Sequence, residues 1–245
     1  MESLDVAKFR DALLQKRWFG FDLDDTLHAF RRASHNAITA ALESISSRSH
    51  VPVPELKAAY DQILKDTTKA AFTDGKTSFD YRRERFTALL ARFSMSYDEQ
   101  GMTRLLDLYE DTLTTSLELK GGATALLSSL RALGKRIAII TEGPQDAQER
   151  TVRALGLEPY VDFLATTNRF GCAKTAGLFA RVMDHLEIKA DDIVFIGDSW
   201  QRDMEPAMAE GILSIHLDGS KTTDLGASPP VIASLGELQQ TLSSR

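Results

Sequence analysis

Asp22, Asp24 and Asp25 set three carboxylates close together, with the hydroxyl of Thr26 after them and the apolar run Trp18-Phe19-Gly20-Phe21 before. Along an extended chain alternate residues share a face, so Asp22 and Asp24 can point together while Leu23 points back into protein. Carboxylates gathered on one face repel each other unless a cation or a shared proton offsets the charge. A divalent metal is the expected partner. Three more residues stand at similar transitions: Thr141 closes the run from Arg136, Asp198 closes the run from Ile193, and Lys174 sits in a loop entering a helix. Acids, a hydroxyl and a lysine in one place suit phosphoryl transfer, which is mainly positioning and charge neutralisation. A carboxylate can attack phosphorus, and magnesium on a few carboxylates screens its approach to an anion. A lysine adds a point charge, and a hydroxyl with backbone amides binds the phosphoryl oxygens. A second carboxyl donates a proton to the leaving oxygen and later takes one from water.

The elements that must bring these residues together follow from the hydropathy pattern. A near-continuous apolar run is the mark of a parallel strand covered on both faces, and the carboxyl ends of such strands meet at one edge of an open sheet, where ligands sit. Strands are predicted over Trp18 to Leu23, Arg136 to Thr141, Val161 to Ala165, Ile193 to Asp198 and Gly211 to His216, the last taken as the final core strand. Helices are predicted over Leu4 to Lys16, Ala123 to Leu133, Gln145 to Leu155, Thr175 to Leu186 and Ser234 to Leu242, with a loop from Leu225 to Pro230. This alternation predicts an α/β fold with a doubly wound, Rossmann-like parallel sheet.

Between His28 and about Leu117 the texture changes to helical spacing throughout: Ala37, Ile38, Ala41, Leu42, Ile45, then Leu56, Tyr60, Ile63, then Phe86, Leu89, Leu90, then Met102, Leu105, Leu106 and Tyr109. Val51-Pro52-Val53-Pro54 and Thr73-Asp74-Gly75-Lys76 break the series, and Ser78 is available to cap the third helix. Residues 28–117 therefore read as an inserted all-helical domain of four helices, and residues 1–27 with 118–245 as the α/β core. A net charge of -6, with Lys and Arg scattered, offers no footprint for nucleic acid. No apolar run approaches the ~18 residues of a membrane span, and the first fifteen residues lack the apolar centre of a secretory signal. The single cysteine, Cys172, excludes an internal disulfide framework and fits a reducing cytoplasm. A monomer or homodimer is expected.

Asp22-Leu23-Asp24-Asp25-Thr26 resembles the Asp-x-Asp-x-Thr signature of the haloacid dehalogenase (HAD) superfamily, and Gly197-Asp198 with Asp203 resembles its late Gly-Asp-x-x-x-x-Asp element. Thr141 and Lys174 stand where that family places its Ser/Thr and its lysine, and the helical insertion looks like its cap. The resemblance implies a Mg2+-dependent phosphatase acting on a small phosphorylated metabolite through an aspartyl phosphate. Asp22 would be nucleophile and metal ligand. Asp24 would be general acid/base and lend its carbonyl to the metal. Asp198 would be a metal ligand, and Asp203 an orienting or water-mediated one. Thr141 and Lys174 would bind the phosphoryl group, with Glu142, Gly143 and His28 as further substrate contacts. The family's dehalogenases lack the second acid, so Asp24 favours phosphatase chemistry.

Two departures stand out: Glu142 follows Thr141 where Asn is common, and Thr175 follows Lys174 where Pro is common. Plainer readings compete. Asp22 and Asp24 could form a turn cluster, Asp203 could merely open a helix, Lys174 could be a solvated helix-start lysine, and Asp25 is expected to be structural. Among the arginines of the insertion, Arg31, Arg32, Arg82, Arg83 and Arg85, the run Tyr81-Arg82-Arg83 is the most suggestive of substrate contact. A phosphomutase on the same scaffold and a non-catalytic binding protein are the rival functions.

Overall fold

In the computed structural model, which describes residues 2–67 and 72–243, six strands form one sheet: β1 (Trp18–Phe21), β2 (Arg136–Thr141), β3 (Phe163–Thr166), β4 (Ile193–Gly197), β5 (Leu213–Leu217) and β6 (Val231–Ile232). All neighbours are parallel, in the order β3-β2-β1-β4-β5-β6. The chain adds strands outward from β1 on one side and then returns to the other. Such a reversal opens a crevice at the carboxyl ends of the central strands.

Helix α1 (Glu2–Gln15) precedes β1. Four helices follow it, with no strand between them among the described residues: α2 (Phe30–Ser49), α3 (Val53–Thr67), α4 (Ser78–Arg92) and α5 (Glu99–Thr115). Then come α6 (Ala123–Ala132), α7 (Gln145–Ala154), α8 (Thr167–Phe170), α9 (Leu178–Leu186), α10 (Glu205–Ala209) and α11 (Leu235–Ser243). Alternation along the strands sorts their side chains between two layers. Phe19, Phe21, Ile137, Ile139, Val194 and Ile196 pack with Leu13, Leu126 and Leu238 of α1, α6 and α11. Trp18, Ala138, Ile140 and Phe195 pack with Phe179 and Val182 of α9 and Ala207 of α10. Asp22 continues the second set and Leu23, fully buried in the first, points away from it. The four consecutive helices bury a separate apolar cluster that includes Leu42, Ile45, Leu56, Phe86, Leu89 and Leu105. The chain leaves the sheet and returns to it along paired segments: Ala29 N–H donates to Glu118 O at 2.9 Å, Lys120 N–H to Leu27 O at 2.9 Å, and His28 bridges Leu119.

Differences from the sequence-based expectation are local and have local causes. Gly177, at φ 97, ends a short 3-10 turn (Lys174–Ala176) and splits the expected helix, so α9 begins only at Leu178. The strand at Leu213 is not the last. Val231 and Ile232 add a two-residue edge strand, too short to show an alternation, tied by His216 N–H to Pro230 O and Asp218 N–H to Ile232 O, both at 2.9 Å. The α4 cap is Thr77, in a reciprocal box with Asp80. Ser78 is thereby left to pair elsewhere. No helix among the described residues is long and apolar enough to cross a membrane.

Candidate active site

Parallel pairing sets the row from which the site is built. Phe21 lies level with Ile139 of β2 and Ile196 of β4, so Asp22, whose N–H donates to Ile196 O at 2.9 Å, emerges just beyond the paired row. Thr141 closes β2, and Asp198 follows β4 directly. Lys174 comes from the turn before α9 and reaches across Phe195, its Nζ 5.5 Å from the ring centre. Asp203 lies in a π-helical turn (Trp200–Met204) that folds back over Gly197. A Cβ on Gly197 would come within 2.6 Å of the Asp203 side chain. The glycine is what lets that carboxylate sit so close to the strand end.

Lys174 is the hub. Its ammonium donates to Asp22 Oδ1 and Asp203 Oδ1, each at 2.6 Å, with all three side chains buried. The second oxygen of Asp203 accepts the Ser199 N–H at 3.0 Å. Burial works against the lysine charge, but Asp203 and Asp22 outweigh it and hold the ammonium above its ordinary range. Burial pushes Asp22 up, to about 8, with Lys174 pulling it down and Asp203 and Asp24 pushing it further up. Asp198 is raised too, first by burial and then by Asp203, with Arg31 opposing. One ammonium is thus shared among more carboxylate charge than it can neutralise. Carboxylate oxygens of Asp22, Asp198 and Asp203 lie within 4.8 Å of one another. An all-oxygen acidic donor set of this kind fits a hard divalent cation such as Mg2+.

Asp24 is held differently. Its Oδ1 lies 2.9 Å from His28 Nε2, and its Oδ2 accepts from Gln148 Nε2 at 3.3 Å. Gln148 also donates to the Glu142 carbonyl at 3.1 Å. His28, expected as a substrate contact, is fully buried and does not border the cavity; backbone bridges to Asp24 and Leu119 fix it behind the acid it orients. Thr141 is fully buried at the cavity edge, and its hydroxyl has no partner among the described residues. Glu142 turns its carboxylate toward the Lys174 N–H at 3.4 Å and Arg202 at 3.9 Å. Gly143 lines the cavity, but its N–H is taken by Thr167 Oγ1 at 3.1 Å. Asp25 takes a left-handed φ of 61 and accepts the Arg31 N–H at 3.1 Å, a loop-fixing role as expected.

A cavity of about 600 Å³ opens on these groups and extends to the helices, where Phe30, Tyr60, Phe72, Tyr81, Arg85 and Tyr109 line it. The run Tyr81-Arg82-Arg83 is largely spoken for: Tyr81 donates to Asp74, Arg82 to Glu110, and Arg83 lies outside on Glu99 at 2.8 Å. Sequence reasoning passed over Gln148. It lies on the buried stripe of α7 with Thr151 and Val152, and an amide at a buried helical position signals a polar partner.

The sequence model of the haloacid dehalogenase-like hydrolases matches residues 16–211. Similar curated proteins include the glyceraldehyde 3-phosphate phosphatase of Methanocaldococcus jannaschii, 25% identical, with 84% of this chain and 86% of that protein covered. Another is the ribulose-1,5-bisphosphate 5-phosphatase of Halopiger xanaduensis, 27% identical, with 83% of this chain and 85% of that protein covered. Among solved structures, the HAD-hydrolase YfnB from Bacillus subtilis, bound to magnesium, superposes with a TM-score of 0.70 at 24% identity, covering 94% of this chain and 100% of that one. A 2-haloacid dehalogenase from Pseudomonas syringae gives 0.68 at 23% identity, covering 93% and 98%. The two structural likenesses bear on the fold alone. The family match takes in β1, β2, the Lys174 turn and β4 together, and by it this protein belongs to the haloacid dehalogenase-like hydrolases.

Proposed function

We propose that the protein is a Mg2+-dependent phosphatase of small phosphomonoesters that works through an aspartyl phosphate on Asp22. The observation that carries this reading is the division of labour between two neighbouring acids. Asp22 is buried against an ammonium at 2.6 Å, while Asp24 is braced on both oxygens by His28 and Gln148. Asp22 attacks phosphorus as its carboxylate, and the P–O bond to the leaving group breaks as the new one forms. Asp24 gives its proton to the leaving oxygen. It then takes one from the water that attacks the acyl phosphate, returning Asp22 and releasing inorganic phosphate. The Thr141 hydroxyl donates to a phosphoryl oxygen, and Lys174 orients Asp22 and balances charge. Asp22, Asp198 and the Asp24 carbonyl would hold Mg2+, with Asp203 orienting or bound through water; the cation would offset the repulsion between carboxylate and phosphoester. Residues 28–117 act as a cap that excludes water and selects the leaving group, over a core of residues 1–27 and 118–245. The named activities of the phosphatases among its relatives support the reaction class, as does Asp24, the acid that dehalogenases of this family lack.

Asp22→Asn is expected to lower phosphate release by about a thousandfold or more with an unchanged circular dichroism spectrum. Acid-quenched wild-type enzyme should carry a phosphoryl mass on the peptide containing Asp22. Turnover that survives in the variant would remove the nucleophile assignment. Activity should vanish with a chelator and return with Mg2+, and chelator-resistant turnover would remove the metal. A mutase would transfer the group to a second hydroxyl and release little free phosphate.

A further inference from the structure

Three cationic side chains are buried among the described residues: Lys174, Arg82 and Arg85. Lys174 has two carboxylates and Arg82 has Glu110. Arg85, only 8% exposed, has no carboxylate within 4.0 Å among the described residues. Its Nε donates to Thr67 Oγ1 at 2.9 Å and the Tyr60 hydroxyl lies beside its guanidinium, while its Nη2 is buried with no hydrogen-bond partner among the described residues. The rings of Phe72 and Tyr81, both 5.8 Å from the guanidinium carbon, give it only a weak electrostatic return. An isolated buried charge is costly, so a group of this kind persists where something outside the fold balances it. Arg85 borders the same cavity as Asp22 and Thr141, from the helical side. Its remaining N–H groups form the planar fork that suits a carboxylate or a phosphate.

Resting on the phosphatase reading, we infer that Arg85 binds a second anionic group of the substrate, so that the preferred substrates are phosphomonoesters carrying a further carboxylate or phosphate. The phosphoryl group meets Asp22, Thr141 and Lys174, while the far anion meets Arg85 beneath the aromatic wall of Tyr60, Phe72 and Tyr81. Binding energy at the far end is then available to hold the reacting end in place.

The test uses matched pairs in the presence of Mg2+: phosphoglycolate against ethyl phosphate, and propane-1,3-diol bisphosphate against propyl phosphate. The wild type should favour the doubly anionic member of at least one pair by about tenfold or more in kcat/KM, and which pair responds tells carboxylate from phosphate. In Arg85→Gln that ratio should fall to near one, mainly through KM; Arg85→Lys should keep part of it, and Arg83→Gln, on the outer face, all of it. A ratio near one in the wild type, or one that Arg85→Gln leaves intact, overturns the inference while the phosphatase reading stands. Calorimetry with the non-hydrolysable pair 3-phosphonopropionate and propylphosphonate separates the two. Tighter binding of the first that depends on Arg85, without turnover of any ester, keeps the anion site and removes the phosphatase. Equal binding of both phosphonates removes the anion site.

Discussion

Lys174 and Arg85 are cations of similar burial on two sides of one cavity, and the protein treats them in opposite ways. At the strand ends, Lys174 is clasped by Asp22 and Asp203 at 2.6 Å each. In the helical wall, Arg85 has neutral company alone among the described residues: a threonine hydroxyl, the Tyr60 hydroxyl and two aromatic faces. On the proposed reading, where the chemistry is the same for every substrate the countercharges are built in. Where the ligand varies, the charge is left for the ligand to meet. The first arrangement contributes to folding and, in the proposed mechanism, to reaction, whereas the second costs stability until something binds.

The sharpest way to break this contrast is to remove each cation by an apolar residue of similar length. Lys174→Met leaves Asp22 and Asp203 buried and facing each other, and uncompensated buried charge costs about 3–5 kcal/mol. That loss should be read in chelator-treated protein by urea denaturation, beside a fall in turnover of about a thousandfold. Arg85→Met removes a charge that has no counterpart, so its stability should stay level or rise by about 1 kcal/mol. Equal losses in the two variants would erase the distinction. They would mean that Arg85 is balanced within the fold.

A smaller perturbation acts on the strand-end side alone. Gly197→Ala puts a methyl where the Asp203 carboxylate packs, at 2.6 Å. Overpacking of this kind costs about 1–3 kcal/mol, and here the movable group is one of the two partners of Lys174. The expected result is a loss of stability in that range and a larger proportional loss in kcat than in KM. Unchanged kinetics would show that Lys174 keeps its place without Asp203.

The same contrast explains how much could be read before any coordinates. Asp22, Thr141, Lys174 and Asp198 come from strand ends or the turn facing them, and a parallel sheet brings such ends together whatever lies between, so their meeting was legible from hydropathy and residue type. Asp203 was legible as a motif position, but not its close seat over Gly197, which depends on a π-helical turn with no pattern of its own. His28 was misplaced because the residue after a signature loop can face the cavity or turn behind it; backbone bridges to Asp24 and Leu119 decide the matter. In the helical region, periodicity found all four helices but could not tell a paired arginine from an unpaired one. Arg82 and Arg85 are both on the buried side of α4, and only the position of Glu110 on α5 separates a matched charge from an unmatched one. That is a tertiary fact, and no spacing within α4 contains it.

The smallest predicted effect concerns the tie between the two regions. Asp146, at the start of α7, accepts from the Ser78 N–H at 2.9 Å and hydroxyl at 2.7 Å and from Arg150 at 2.9 Å; Arg150 also donates to Glu110 at 2.9 Å. This network joins α4 and α5 to the helix that carries Gln148, and hence to Asp24. Burial pushes the Asp146 carboxyl up, but Ser78 and Arg150 together outweigh it and hold it below the usual 3.8. A carboxyl lowered in the folded state contributes stability above its unfolded value and loses it as the pH falls through the folded one. With the side chain 27% exposed, the contribution is about 1 kcal/mol. Asp146→Asn should therefore be less stable than the wild type by about that amount at pH 7, and the gap should close as the pH falls from about 3.8 through the lower folded value, beneath which both side chains are neutral. A gap of constant size across that range would mean that the hydrogen-bond geometry at Ser78, and not the charge, ties the helical wall to the strand-end site.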